Sequence, residues 1–319
     1  MPMPRLALSR ALLALSLAVD AGAQSPAAPI RIWGHGHPGQ DYILTLLKAW
    51  QDGFSTTHPG VTFDDQLTGN ASALGGLYTN TADLALLDRD ASFIEVDSYQ
   101  QGNGYDPFRI PIARGSISTA HHAPTLKLYI NPANPLQHLT LTQLDGIFDA
   151  DHRRGDKAYK TWGDLGLTGA WASAPIHLYT YEIQTAEMQF FERAALKGSQ
   201  KFACCITFFN KDHAVGIPAA VTSDKYGMAL VTVPAPKLKP VPLASTDDVA
   251  AVLPADPAYP LSRTVYLYAN RKPKAPVPSN VAAFLAYIVS PEGQAVVAHT
   301  GGYLPLTSDQ AKQAREALQ

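Results

Sequence analysis

Apolar positions along this chain switch between two periods. Ile30 to Trp33 is a short apolar run of strand length, and it stops at the loop Gly34-His35-Gly36-His37-Pro38-Gly39. Ile43, Leu47, Trp50 and Phe54 then recur at helical steps, which predicts a helix with one buried face. His58-Pro59-Gly60 is a turn, and Val61 to Leu67 reads as a second strand. Gly69-Asn70 breaks it, and Leu74 with Leu77 suggests a short helix. Ala82 to Leu87 reads as a third strand, ending at Asp88-Arg89-Asp90. Thr125 to Ile130 is a strand closed by Asn131-Pro132, and Leu141 to Phe148 a short helix. Trp162-Gly163-Asp164-Leu165 reads as a loop, and Ile176 to Tyr181 as a strand. Met188, Phe191 and Ala195 mark the following helix. Met228 to Val233 and Thr264 to Ala269 are strands, and Val281 to Val289 opens a C-terminal helix.

Strands alternating with helices argue for an α/β fold with open sheets. The chain has 319 residues, which favours two domains. With 46% hydrophobic and 16% charged residues, it has apolar material for real cores and too little charge for a disordered protein. The formal net charge is −2, and there is no basic run beyond Arg153-Arg154, so nucleic acid is not an expected partner.

The N-terminus has the order of a signal peptide: Arg5 and Arg10, an apolar run from Ala11 to Val19, then Ala21-Gly22-Ala23. Residues 1–23 are therefore expected to be removed, with the mature chain starting at Gln24 and the protein lying in the periplasm. The apolar run is too short to span a bilayer, which needs about 20 residues, and no membrane insertion is expected after cleavage. Residues 24–29 read as a leader. Cys204 and Cys205 are adjacent, and a trans peptide holds their Cα atoms about 3.8 Å apart. Ordinary disulfides need about 4.4–6.8 Å, so a bond between them would be strained. Two small apolar side chains in a strand, ahead of Ile206, Phe208 and Phe209, is the simpler reading. A vicinal disulfide or a soft-metal contact is the alternative.

Several short segments, in order, carry a resemblance. Trp50-Gln51-Asp52-Gly53-Phe54 precedes His58-Pro59-Gly60-Val61, and Asn80-Thr81-Ala82-Asp83-Leu84-Ala85 follows. Then come Tyr129-Ile130-Asn131-Pro132-Ala133-Asn134-Pro135 and Leu139-Thr140-Leu141-Thr142-Gln143-Leu144 with Ile147-Phe148 and Trp162. Tyr259-Pro260-Leu261-Ser262-Arg263-Thr264, Ser290-Pro291-Glu292-Gly293-Gln294 and Gly301-Gly302-Tyr303-Leu304-Pro305-Leu306 complete the series. From about residue 30 to residue 307 the chain resembles the periplasmic phosphate-binding proteins of ABC importers. The resemblance implies two α/β lobes of the periplasmic-binding-protein fold, with mixed sheets flanked by helices, two crossovers and a ligand cleft between the lobes. Residues 30–113 with 262–319 are expected to form one lobe and residues 114–261 the other. It also implies a monomer without a cofactor, a small anion as ligand, and the permease subunits of an ABC transporter as partners.

Helix N-termini attract anions, and three strand-to-helix junctions are candidates: Gly36 to Gly39, Gly69 to Ser72, and Thr185 to Glu187. Asp88 stands where the family has a buried aspartate that takes a hydrogen bond from a protonated phosphate oxygen. The family's Gly-Ser loop becomes Gly69-Asn70-Ala71-Ser72, which keeps polar capacity at Asn70 and Ser72. At the third junction the chain departs from the family: the arginine position is Tyr181, and Ser-Gly-Thr becomes Thr185-Ala186-Glu187. A planar guanidinium for bidentate contact is missing there. Arg89 and Arg114 are candidate replacements, as are His35 and His37 with His121 and His122, the alternative being surface or hinge ion pairs and exposed loops. The expected ligand contacts are thus Asp88, Asn70, Ser72, Thr185, His37, Arg89 and Arg114.

The chain shows no Gly-x-Ser-x-Gly elbow, no His-Glu-x-x-His and no phosphate-cradling glycine loop with lysine. A binding protein rather than an enzyme is expected. A histidine-metal hydrolase and an interaction module that kept the fold but lost the anion site are the competing classes.

Overall fold

A computed structural model of the chain describes residues 28–36, 42–115 and 125–319. The expected signal peptide, His37 and the His121-His122 pair lie outside the described residues.

β1 (Ile30–Gly34) runs into α1 (Tyr42–Thr57), whose Ile43, Leu46, Leu47, Trp50 and Phe54 form the buried stripe that the helical spacing predicted. Trp50 also donates its indole N–H to the Gly293 carbonyl at 2.8 Å, so the helix is pinned as well as packed. β2 (Phe63–Gln66), α2 (Asn70–Tyr78) and β3 (Leu84–Leu87) follow, and β1 pairs in parallel with both β2 and β3. Every residue of β3 is buried, as a central strand covered on both faces must be. Next come α3 (Phe93–Asn103) and β4 (Phe108–Arg114), two elements the apolar pattern did not predict.

The second sheet starts with β5 (Lys127–Ile130). β6 (Leu139–Thr140) leads into α4 (Leu141–Phe148), whose start is set by a capping box between Thr140 and Gln143. β7 (His177–Tyr181), α5 (Ala186–Ala194), β8 (Ile206–Phe209), α6 (Ile217–Ser223), β9 (Gly227–Val231), β10 (Lys239–Pro240) and β11 (Leu243–Ala244) complete this part. The sheet order is β10-β5-β9-β7-β8, with β5 antiparallel and β7 parallel to β9. Cys204 and Cys205 are not strand residues: both are exposed free thiols in the turn before β8. Cys205 has φ 70, a left-handed conformation that a strand does not accommodate.

β12 (Thr264–Ala269) then enters the first sheet antiparallel between β3 and β4, giving the order β2-β1-β3-β12-β4. The expected C-terminal helix is broken at Ser290-Pro291 into α7 (Ser279–Ile288) and α8 (Pro291–Thr300), and α9 (Ser308–Leu318) follows. Ser290 caps α8 by accepting from the Gly293 N–H, and a proline one residue later cannot continue the preceding helix. No single helix among the described residues is long and apolar enough to cross a membrane.

Each five-stranded sheet has its own large apolar core, and a third, smaller cluster around Leu74, Leu77, Leu87 and Tyr99 covers the other face of the first sheet. Of the two large cores, one contains Leu128, Phe148, Trp162, Phe191 and Leu230; the other contains Ile32, Trp50, Phe54, Leu267 and Phe284. The molecule is thus two α/β lobes of mixed sheet flanked by helices. The chain segments that join them lie side by side. Gly115 donates its N–H to the Arg263 carbonyl at 2.5 Å, and Leu126 donates to the Leu261 carbonyl at 3.2 Å.

Candidate functional site between the lobes

The carboxyl ends of β1, β2 and β3 converge on one edge of the first sheet, the position where open α/β sheets hold ligands. Gly34 sets the local geometry. Its φ is +133, and a Cβ there would stand 2.1 Å from the Leu86 carbonyl oxygen. Without that Cβ, His35 N–H donates to Leu86 O and Gly69 N–H donates to Gly34 O, both at 2.8 Å. The chain is thereby drawn in so that His35, Gly69-Asn70 and Asp88 meet.

Asp88 is the first residue after β3 and is 6% exposed. Its Oδ1 accepts from Asn70 Nδ2 at 2.8 Å, and its Oδ2 lies 3.4 Å from Arg263 Nη2 and 4.0 Å from His35 Nε2. Burial pushes the carboxyl pKa up, but Arg263, His35, Asn70 and Arg89 together outweigh it and bring it down to about 2. Asp88 is therefore an ionised carboxylate near neutral pH, a pure hydrogen-bond acceptor.

Arg263 is the residue that reading the sequence missed. It sits in the return connection and is 2% exposed. Its guanidinium lies between Asp88 of the first lobe and the Phe190 ring of the second, 5.9 Å from the ring centre. Its Nε is buried and has no hydrogen-bond partner among the described residues, and neither has the buried Asn70 Oδ1. Two unspent polar atoms thus flank a buried ion pair. The only sequence signal was an arginine set between an apolar turn and a strand. Its acidic partner is 175 positions away.

The expected contacts divide into groups. Asp88 and Asn70 meet directly. Ser72 lies one turn into α2, whose N-cap Gly69 offers no side-chain cap; the Ser72 hydroxyl donates to Gly69 O at 3.0 Å. Arg89 turns the other way and makes a two-pronged ion pair with Glu95, at 2.7 and 2.9 Å. Arg114 donates to Pro305 O at 2.7 Å and lies 3.4 Å from Pro257 O, so it ties down the chain beside the connection. Thr185 caps α5: its hydroxyl accepts from Met188 N–H and donates to Glu182 O.

The wall supplied by the second lobe is short of spare donors. The Tyr181 hydroxyl accepts from Thr232 N–H at 2.9 Å and pairs with Thr232 Oγ1 at 2.7 Å. Glu187 is buried in the first turn of α5, near enough to Tyr181 to help raise the phenol pKa, after burial as the main cause. Across the gap, Arg193 on α5 donates to Asp90 O at 3.0 Å. A cavity of about 250 Å³ opens beside this contact, lined by Asp90, Phe190, Arg193, Ser262, Thr264 and Tyr266.

Two lobes, two connections and a polar cluster at the strand ends define the class of an extracytoplasmic-type solute-binding fold, and comparisons agree. Residues 37–292 match the family model described as a PBP superfamily domain. The chain is 30% identical over 292 residues to the phosphate-binding protein PstS of Pseudomonas aeruginosa, covering 88% of this chain and 85% of that one. The chain belongs to this family of PBP-superfamily proteins. Among solved structures, PstS from Borrelia burgdorferi superposes with a TM-score of 0.57 at 14% identity, over 88% of this chain and 99% of that one. An ABC-type phosphate transport receptor from Vibrio cholerae gives 0.53 at 17%, over 87% and 100%. These two likenesses concern the fold.

Proposed function

We propose that this chain is a solute-binding protein that holds phosphate or a closely related protonated oxyanion between its lobes and delivers it to the permease of an ABC importer. The observation that carries the reading is Arg263, a buried guanidinium with an unspent Nε beside the Asp88–Asn70 pair. An anion entering there takes donors from Arg263 and from the α2 N-terminus, and from Ser72 once its hydroxyl turns away from Gly69 O. Asp88 and Asn70 Oδ1 are acceptors, so they favour an anion that carries a proton and disfavour one that has none to give. Thr185 is assigned to the opposite rim. The ligand cleft lies between a lobe of residues 30–113 with 262–319 and a lobe of residues 114–261. The 30% identity to a named phosphate-binding protein supports the ligand class. The signal-peptide pattern of residues 1–23 supports a periplasmic location, and a binding role needs no catalysis.

Titration calorimetry with phosphate and with sulfate at pH 8 tests this. Phosphate is expected to bind and sulfate to bind far more weakly. Arg263→Ala is expected to weaken phosphate about tenfold to a hundredfold, the worth of one charge-assisted contact. Arg263→Lys, which keeps the charge that Asp88 needs, should fold and show an intermediate loss. Unchanged phosphate affinity in both variants would remove Arg263 from the site.

One feature favours a second reading, a fold that has lost its anion: the wall at Tyr181 and Thr185 is already internally bonded and adds the Glu187 carboxylate. Absence of any phosphate or arsenate heat with the wild-type protein would select that reading.

A further inference from the structure

The second lobe carries a site of different chemistry at the opposite end of its sheet. β7 points its Tyr181 end toward the cleft; at its start, Ile176, His177 and Leu178 border a cavity of about 630 Å³. Tyr159 and Pro175 form more of the wall, and Cys204 and Cys205 stand at its rim. The two cysteines occupy the turn between the Phe202–Asp149 bridge and β8, which starts at Ile206. Ala203 N–H donates to Phe148 O at 2.7 Å, which anchors the turn to α4. Both thiols are exposed, and their sulfurs lie 3.3 Å apart.

We propose that Cys204 and Cys205 form a dithiol site that captures a trivalent arsenical, with the carbon substituent of the arsenical lodged in the adjoining cavity. Three observations lead there. First, metal–thiolate bonds are about 2.3 Å long. A linear two-coordinate ion would need its sulfurs about 4.6 Å apart, whereas sulfurs at 3.3 Å subtend about 90° at a shared centre. That is the angle of a pyramidal trivalent atom with a lone pair. Second, a direct disulfide would have to close an eight-membered ring across Cα atoms only about 3.8 Å apart, shorter than ordinary disulfides allow. A larger bridging atom avoids that closure. Third, among the described residues no group of three or more His, Cys, Asp or Glu side chains is placed to hold a metal ion, so the pair acts alone. Asp149, His152, Lys160 and His177 also line the cavity, but Ile147, Tyr159, Pro175, Ile176 and Leu178 give it an apolar side that suits an aryl or alkyl group.

The step balances without an oxidant. An arsenical R–As=O reacts with both thiols to form two As–S bonds. The As=O bond breaks, its oxygen takes the two thiol protons, and water leaves. The neighbouring Cys204 raises the Cys205 pKa, so Cys205 enters as a thiol, and in this reaction the departing oxygen is the base.

The test uses phenylarsine oxide on the purified, reduced, full chain, followed by intact mass. The expected product is a single adduct per chain with loss of one water. It should survive excess glutathione and come off with dithiothreitol, because two tethered thiols act at high effective concentration. Cys204→Ser and Cys205→Ser, both exposed positions that leave the core untouched, should each weaken binding by about a hundredfold or more. The aryl reagent should bind at least about tenfold tighter than methylarsine oxide, through burial of its ring. Wild-type affinity in either single-cysteine variant, or release by glutathione as fast as by dithiothreitol, would overturn the dithiol. Equal affinity for aryl and methyl reagents would overturn the role of the cavity. None of these outcomes depends on whether the cleft binds phosphate.

Discussion

Replacing Arg263 by methionine isolates the ion pair on which the cleft is built. In the native protein the Asp88 carboxyl falls from its ordinary 3.8 to about 2. A shift of that size corresponds to about 2.5 kcal/mol of folding stability. The group is depressed, so this stability is present above about pH 4 and is lost as pH falls toward 2. Burial alone acts in the opposite direction on Asp88. Without the guanidinium, only His35, Asn70 and Arg89 are left to oppose burial, and the carboxyl pKa rises. The folded variant then keeps its proton to higher pH than the wild type does, and it gains less stability as pH rises. At neutral pH, breaking a buried pair by removing one partner costs about 3–5 kcal/mol. Urea unfolding of both proteins from pH 3 to pH 7, in buffers free of phosphate, reads this directly. The gap between wild type and Arg263→Met should widen steadily with pH, and Asp88→Asn added to Arg263→Met should remove most of that pH dependence. A gap that stays flat from pH 3 to pH 7 would refute the assignment of Asp88 and Arg263 as a coupled buried pair.

Three further outcomes follow from the same geometry. Gly34→Ala sets a Cβ against the Leu86 carbonyl at a left-handed backbone position, and should cost at least about 2 kcal/mol in urea unfolding while weakening any anion bound at Asp88. Tyr181→Phe strands the Thr232 N–H; it should cost about 1–3 kcal/mol of stability and change anion affinity less than about threefold, because the hydroxyl is already spent inside the lobe. Arg193→Ala removes the donor to Asp90 O across the gap; the ligand-free variant should show a larger radius of gyration by X-ray scattering, with the anion-saturated form unchanged.

Where the apolar run or spacing is regular, the elements were legible. The helix at Trp50 and Phe54 and the strands at β1, β3, β7 and β12 stand where their apolar spacing put them. α3 was invisible for a physical reason: Phe93 and Ile94 are exposed at 79% and 74%, and only Tyr99 is buried, so it carries no apolar stripe. Its start is written instead in the Ser92–Glu95 capping box. β4 hid behind Pro111, which a strand tolerates at the edge of a sheet, and β4 is the edge. The Cys-Cys-Ile-Thr-Phe-Phe run has strand composition, but with Cys205 left-handed the strand starts only at Ile206, two residues after Cys204. In the candidate site, Asn70 was legible from its strand-to-helix junction and Asp88 from the resemblance, and the structure brings the two together. Arg89 looked like the nearest cation, yet adjacent residues leave a strand in opposite directions, and Glu95 six positions on claims it locally. Arg263 could not be paired with Asp88 by any local rule, since only the return of β12 into the first sheet brings them together.

That return also changes how the site is built. The residue whose side chain meets Asp88 is the residue whose carbonyl accepts from Gly115, the point where the two connections touch. Two residues earlier, Leu261 makes the equivalent contact with Leu126. In the proposed reading the cation is therefore fixed to the joint between the lobes and not to the face of the second lobe, where Tyr181 stands. Asp88, Asn70, Ser72 and Arg263 then gather on the first sheet and the joint alone. The second lobe adds Phe190 against the guanidinium and Arg193 against Asp90, contacts that cover and latch.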